Sequence, residues 1–293
     1  MIKIIHFEPA KETDNKVNDS KFVLTKKTNI KMNTKLLLTV VPLFGLFLKA
    51  QEVQEQPLPE KEKLNVSLEL KNNHLWRGLV GADVLFSSVD INYAFDKQNH
   101  FILGVWGGSE LAGEEHADGK NYAWHEIDYY FKYDTGRFMV GLWDCFSDSG
   151  KDRDDLSGDI WNYDTHTTGH RVDFRGYYVL SEQTPLKIEF GTSIYGDDRT
   201  LKGDQKYSTY AELNYPLIRD KKTNLNVFCG AGIGYGGNSH MYGNGKHDFD
   251  IVNVGITTSR AFTLWEHKVP VSATAMWNPS NKMARVQLAA VIF

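Results

Sequence analysis

Charged side chains of both signs recur at every second position along short apolar segments of this sequence. Glu69 and Lys71 alternate with Leu68 and Leu70, and Glu126, Asp128 and Lys132 with Ile127, Tyr129 and Phe131. Arg171, Asp173 and Arg175 interleave with Val172 and Phe174, Lys187 and Glu189 with Ile188 and Phe190, and Glu212 with Ala211 and Leu213. On a strand, period two sends these charges to one face and the apolar residues to the other. Two chemistries follow for a charged face turned inward. It could line a solute path or pocket whose charges select what enters. It could instead be a network of mutually paired charges that fills a lumen too narrow to conduct, since buried charges are tolerated only when paired.

Other residues carry weaker chemical signals. His166 and His170 are four apart, about 13 Å along a strand at ~3.3 Å per residue, too far to share a metal. His166 with Ser147, Asp148 or Ser149 has the makings of a Ser–His–Asp hydrolase at a barrel rim, though no spacing or local motif separates these from solvated loop residues. The stretch Lys151–Asp155 with Asp159 and Asp164 is dense in carboxylates. Calcium needs about six to eight converging oxygens, and an acidic external loop supplies several or is simply solvated. Gly230-Ala231-Gly232-Ile233-Gly234 superficially resembles a nucleotide loop, but no helix pattern follows; alternating glycines on a strand relieve crowding or bend it. No catalytic, cofactor or metal set is assigned, and the reading is not that of an enzyme.

The elements that must position the charges are strands. Beginning at Leu64, alternating segments recur to the last residue: 64–71, 89–95, 101–108, 126–133, 138–142, 171–178, 186–190, 210–215, 225–235, 252–258, 269–277 and 284–293. That is about twelve, an even number, as expected of an antiparallel up-and-down transmembrane β-barrel. The connections alternate. Long polar ones (110–121, 147–164, 197–206, 237–247) take turns with short ones (96–99, 134–136, 181–184, 218–223, 265–268). The connections after the first and eleventh strands count as external but short. The last strand has the least clear register: Arg285, Gln287, Ala289, Val291 and Phe293 share one parity, so facing Phe293 to lipid would place Gln287 there too.

The N-terminus and composition bound the class. Lys31-Met-Asn-Thr-Lys35, an apolar run from Leu36 to Leu48, then Ala50 before Gln51 make a signal peptide over 1–50 with cleavage between Ala50 and Gln51. The apolar run is shorter than the ~20 residues of a spanning helix. Residues 1–31 read as a spurious extension upstream of a start at Met32, and 51–63 as a polar leader before a barrel domain over 64–293. Without the first 50 residues the chain carries 24 basic and 33 acidic side chains, a formal charge of −9, which disfavours nucleic acid. Mean hydropathy of −0.41 excludes a helical membrane protein but not a barrel, whose two faces average out. Aromatic residues at 13% with 14 Tyr and seven Trp suit the girdles of a barrel. Cys145 and Cys229 fall on non-neighbouring strands, beyond the ~7 Å reach of a disulfide, and are expected to stay unpaired.

Several short motifs resemble one family. Trp76-Arg77-Gly78 after the first strand, Glu126-Ile127-Asp128 in the fourth, Tyr207-Ser208-Thr209-Tyr210 in the eighth and Asn278-Pro279-Ser280 before the last are similar to a family of conserved Gram-negative outer-membrane barrels without an assigned activity. The terminal Phe293 resembles the signal read by the barrel assembly machinery. The resemblance covers roughly 64–293 and implies the fold and an outer-membrane location, with outer-membrane lipid and lipopolysaccharide as surroundings; it supplies no substrate. The open classes are a narrow channel or small-solute-binding barrel, a structural or adhesive surface barrel with a plugged lumen, and a rim-active lipid enzyme.

Overall fold

Alternation of this kind makes strands because only a pleated wall can bury one parity and leave the other outside. The computed structural model describes residues 63–115, 121–147, 158–220, 223–264 and 266–293; the expected cleavage between Ala50 and Gln51, and the leader up to residue 62, lie outside them. The chain runs through β1 (Leu64–Lys71), a small hairpin of β2 (His74–Trp76) and β3 (Leu79–Ala82), then β4 (Phe86–Ala94) and β5 (Phe101–Glu110). Two-residue strands β6 (Glu114–Glu115) and β7 (Asn121–Tyr122) follow, then β8 (His125–Asp134), β9 (Phe138–Ser147), β10 (His170–Val179) and β11 (Lys187–Gly196). The remainder is β12 (Thr209–Arg219), β13 (Asn224–Ile233), β14 (Phe249–Leu264), β15 (His267–Asn278) and β16 (Met283–Val291).

Twelve of these close into an all-β barrel in the order β1-β4-β5-β8-β9-β10-β11-β12-β13-β14-β15-β16, with β16 back against β1. Every pairing is antiparallel, and each wall strand neighbours the next one in the chain. The seam is short: Glu69↔Val291 to Lys71↔Ala289. It is extended by Leu68 N–H to Phe293 O at 3.0 Å and by Asn72 and Asn73 Nδ2 to the Val286 carbonyl at 3.1 and 3.0 Å. The outward parity is apolar and exposed, as at Ile91, Leu103, Phe131, Leu213 and Leu288. The inward parity is polar and carries charges of both signs, Asp90 on β4 among them.

Short turns are held by their own side chains. The Asp96 carboxylate accepts from the N–H groups of Gln98, His100 and Phe101, while Asn99 takes the left-handed conformation at φ 58° that Asn tolerates. Cys145 is buried on β9, Cys229 exposed on β13, and both are free.

Two expectations are corrected. The connection after β1 is not short: residues 72–85 form the β2–β3 hairpin, because two apolar triplets around Arg77-Gly78 pair with each other. On β16, Val286 and Leu288 face outward and Ala289 is buried, so Gln287 points inward, its Nε2 donating to the Asn73 carbonyl at 2.7 Å. The strand ends at Val291, which frees Phe293 from its parity and leaves it exposed. An amide could be satisfied only inside, and that outweighs keeping Phe293 in strand register.

Candidate functional site

The β2–β3 hairpin supplies what the walls lack. Arg77 (φ 49°) and Gly78 (φ 83°) are its two turn residues, and two positive φ values are the demand of a tight type I′ turn. Gly78 is required twice over, since a Cβ there would strike the Val252 carbonyl. The turn delivers the Arg77 guanidinium to the Asp173 carboxylate on β10, Nη1 to Oδ2 at 3.0 Å, and to the Tyr242 hydroxyl at 2.9 Å. Its carbon lies 4.7, 5.5 and 5.8 Å from the ring centres of Trp76, Tyr210 and Tyr242. Gly191 on β11 leaves the room, because a Cβ there would meet the guanidinium.

Asp173 is wholly buried, and three arginines share it: Arg77, then Arg175 Nε at 3.2 Å and Arg171 Nε at 3.7 Å. Arg171 is stacked 4.7 Å over Trp76 and Arg175 4.9 Å over Trp143. Glu126 and Asp128 stand alongside, so five of the predicted lumen charges meet in one place. The other six do not, Lys71 pairing instead with Glu69 at 2.8 Å. Lys132 pairs with Asp134 at 3.2 Å and Lys187 with Glu189 at 2.7 Å, and Glu212 takes Tyr210 Oη and Asn253 Nδ2. These ion pairs run along one strand at i,i+2 rather than across strands, since the same-face spacing of about 6.6 Å is within reach of a lysine stem.

From the long-loop side, residues 234–248 cover the hairpin. Tyr242 is fully buried there, and the Asn278 amide ties the two together, donating to Gly78 O at 2.9 Å and Tyr242 O at 3.2 Å. Met241 N–H is held by Ser208 Oγ at 3.1 Å. Burial lowers the pKa of His240, while Asp250, 3.4 Å away, pulls the other way. At the open end of the hairpin, His74 stacks on Phe86 and Trp124 at 4.7 and 5.8 Å. The four motifs that carried the family resemblance thus converge on this lock or on the cluster beside it. Arg77, Tyr242, Asn253 and Asn278 were missed as site residues. An Arg-Gly pair between apolar triplets was the available sign for the first, and nothing local marks the others.

No protein-family model matches the chain, and no curated protein is similar to it. The solved structure of an outer membrane channel from Pseudomonas putida F1 is similar at 12% identity and a TM-score of 0.41, over 83% of this chain and 98% of that one. A likeness of that size leaves the function to be read from this chain's own geometry.

Two cavities lie on the short-turn side of the lock. One of about 230 Å³ is bordered by His74, Trp76, Trp106, Glu126, Tyr130 and Trp143 among others. The second, about 350 Å³, reaches to Asn65, Ser67 and Asn92 near the short turns. Asp90, Trp106, Tyr130 and Lys132 border both.

The remaining candidates are placed as follows. Glu126, Asp128 and Cys145 offer ligand atoms within 4.8 Å of one another, but Arg175 Nη2 is 2.9 Å from the Cys145 sulfur, and a metal ion would face that cation. His166 is in a loop, not on a strand. His170 begins β10, fully buried, with its ring nitrogens 2.7 Å from Asp144 Oδ1 and 2.8 Å from Ile160 O. In the acidic loop Asp159 and Asp164 each cap a local N–H, of Trp161 and His166; residues 148–157 lie outside the described residues. Gly230 and Gly232 leave room for the Tyr210 and His240 rings, so the glycine run serves packing.

Proposed function

We propose that this chain is an integral outer-membrane barrel whose lumen is a narrow solute path, held shut on the long-loop side by the β2–β3 hairpin. The observation that carries the reading is the juxtaposition of the Arg77–Asp173–Tyr242 lock, whose Asp173 and Tyr242 are fully buried, with cavities of about 230 and 350 Å³ directly beneath it. A lumen meant only to be filled has no need of a separate removable element over open space. The exposed apolar belt would be covered by outer-membrane lipid, with lipopolysaccharide in the outer leaflet, after insertion by the barrel assembly machinery.

Arg77→Ala is the test, since it removes the latch while leaving Asp173 two arginines. Planar-bilayer recordings should find the wild type closed or brief in its openings, and Arg77→Ala open for long periods with ion conductance. One observation favours a structural or adhesive barrel instead: the lock is tied both to the wall, through Asp173, and to its cover, through Tyr242 and Asn278. Folded wild type and Arg77→Ala that are equally silent would establish that alternative.

A further inference from the structure

Three inward side chains on adjacent strands take no part in the lock. In register, Asp90 on β4 faces Trp106 on β5, and Trp106 faces Asp128 on β8. Directly opposed residues of neighbouring strands have Cβ atoms about 4.5–5.5 Å apart, so Trp106 is rooted between two carboxylates, its ring packed against His74 and Phe86 at 5.7 and 6.2 Å. All three border the smaller cavity, together with Tyr130 and Trp143, whose rings stack at 5.5 Å. Asp90, Trp106 and Tyr130 border the larger cavity as well, which puts the row where the two meet.

The cations at this cavity are already matched. Lys71 has Glu69 at 2.8 Å, Lys132 has Asp134, and Arg175 has its share of Asp173, the Asp128 carboxylate and the face of Trp143. Asp90, by contrast, has no cation within ion-pair distance among the described residues, while Asp128 faces Arg175 and is hydrogen-bonded to Glu126. Asp90 accepts from neutral donors, the Tyr130 hydroxyl at 2.8 and 3.1 Å and Asn92 Nδ2 at 2.6 Å. Asp128 is only 5% exposed, and its Oδ1 has no hydrogen-bond partner.

Carboxylates interleaved with aromatic faces suit one ligand chemistry, a positive charge spread over carbon, which an aromatic ring attracts at little desolvation cost. An anion would meet three carboxylates, Asp90, Glu126 and Asp128, and no cation without a carboxylate partner. A small inorganic cation would leave the rings unused. We propose that the Asp90–Trp106–Asp128 row binds a small organic ammonium ion. The site rests on the conduit reading in one respect, that solute reaches it from the short-turn side.

The probe is choline, titrated calorimetrically into the full-length chain in detergent micelles at constant ionic strength, with glucose and acetate as neutral and anionic controls. Choline should bind saturably and the controls should not. Asp90→Asn should weaken choline by about tenfold or more, and Trp106→Leu by a similar factor. Both variants are first shown to be assembled by boiling-dependent gel mobility, and Trp106→Leu covers the case in which Asp90→Asn fails to assemble. Absence of choline binding, equal binding of a control, or unchanged affinity in the assembled variants overturns the site. Choline binding in a protein whose Arg77→Ala form stays silent in bilayers supports the site and removes the conduit. A conducting Arg77→Ala protein that ignores choline overturns the site alone.

Discussion

On the long-loop side of the lumen, Asp173, His170, Ser193 and Ser208 are completely buried, and one carboxylate is shared by three arginines. On the short-turn side, Lys187 and Glu189 keep about a third of their side-chain surface, at 35% and 34%, and pair one to one along their own strand. The wall strands are the same in both halves, and both halves carry charges of both signs. What differs is the hairpin. It excludes water from one half, where every charge must then find protein partners, and leaves the other half wet, where pairing is optional. Charge in a barrel lumen is therefore not one kind of feature. Its energetic weight is set by what lies over it.

The comparison breaks most sharply at Asp173. Asp173→Asn would leave Arg77, Arg171 and Arg175 beside a neutral amide in a dry site, and removing one partner of a buried charge set costs about 3–5 kcal/mol. The expected outcome is a large fall in the urea midpoint of the detergent-folded barrel, or failure to assemble. A midpoint within experimental error of the wild type would mean that water reaches the cluster and that the two halves do not differ.

Asn278→Ala comes next. It removes the amide that donates to both Gly78 O and Tyr242 O and the Oδ1 that accepts from Asn281 N–H at 3.0 Å. Leaving such buried groups unsatisfied costs about 1–3 kcal/mol each, so a loss in that range is expected, with longer bilayer openings because the hairpin and its cover are no longer tied. Stability loss without any change in openings would separate the tie from gating.

The walls were legible in the sequence because period two persists over five or more residues, and that suffices to assign faces even where ends are uncertain. Leu64–Lys71 and Ile127–Tyr133 fall as read. The hairpin was not legible for the same reason inverted: His74–Trp76 and Leu79–Ala82 are too short to show a period, and their pairing depends on a two-residue turn. Without Arg77, the charges at 171, 173 and 175 read as one more stretch of wall: Glu69–Lys71, Lys132–Asp134, Arg171–Asp173, Arg175–Asp173 and Lys187–Glu189 all pair along one strand, and it is Arg77 that reaches Asp173 from another element. Arg285–Phe293 failed differently. A terminal aromatic pulled the parity outward, whereas a buried amide partner for Gln287, contributed from residue 73, decided it.

A smaller effect is expected from acid. His240, buried in the cover, has its pKa depressed by burial against the opposing pull of Asp250. The unfolded or opened form then binds the proton more readily, so this contribution to stability is present above the ordinary histidine value near 6.5 and is lost as pH falls below it. Asp250 and Asp248 favour the proton and Lys206 opposes it. Protease nicking within 234–248 should rise between pH 7 and pH 5 in the wild type and stay flat in His240→Gln. A rise of the same size in His240→Gln would assign the sensitivity to other groups.

The least effect belongs to Lys187→Gln, and for that reason it is the most direct check on the wet half. Lys187 lies 2.7 Å from Glu189 and 4.6 Å from the Tyr177 ring centre, contacts that would matter greatly if dry. With a third of each side chain in water, the released Glu189 carboxylate is solvated at once, and an exposed pair is worth about 0–1 kcal/mol. The urea midpoint should therefore barely move. Ion preference should move instead, because one positive charge is lost from a path that already carries Glu69, Asp90, Glu189 and Glu212 on its inner face. In the Arg77→Ala background, which opens the lumen, adding Lys187→Gln should shift the reversal potential under a salt gradient toward cations. A loss of several kcal/mol with no shift in selectivity would show that the short-turn half is as dry as the other.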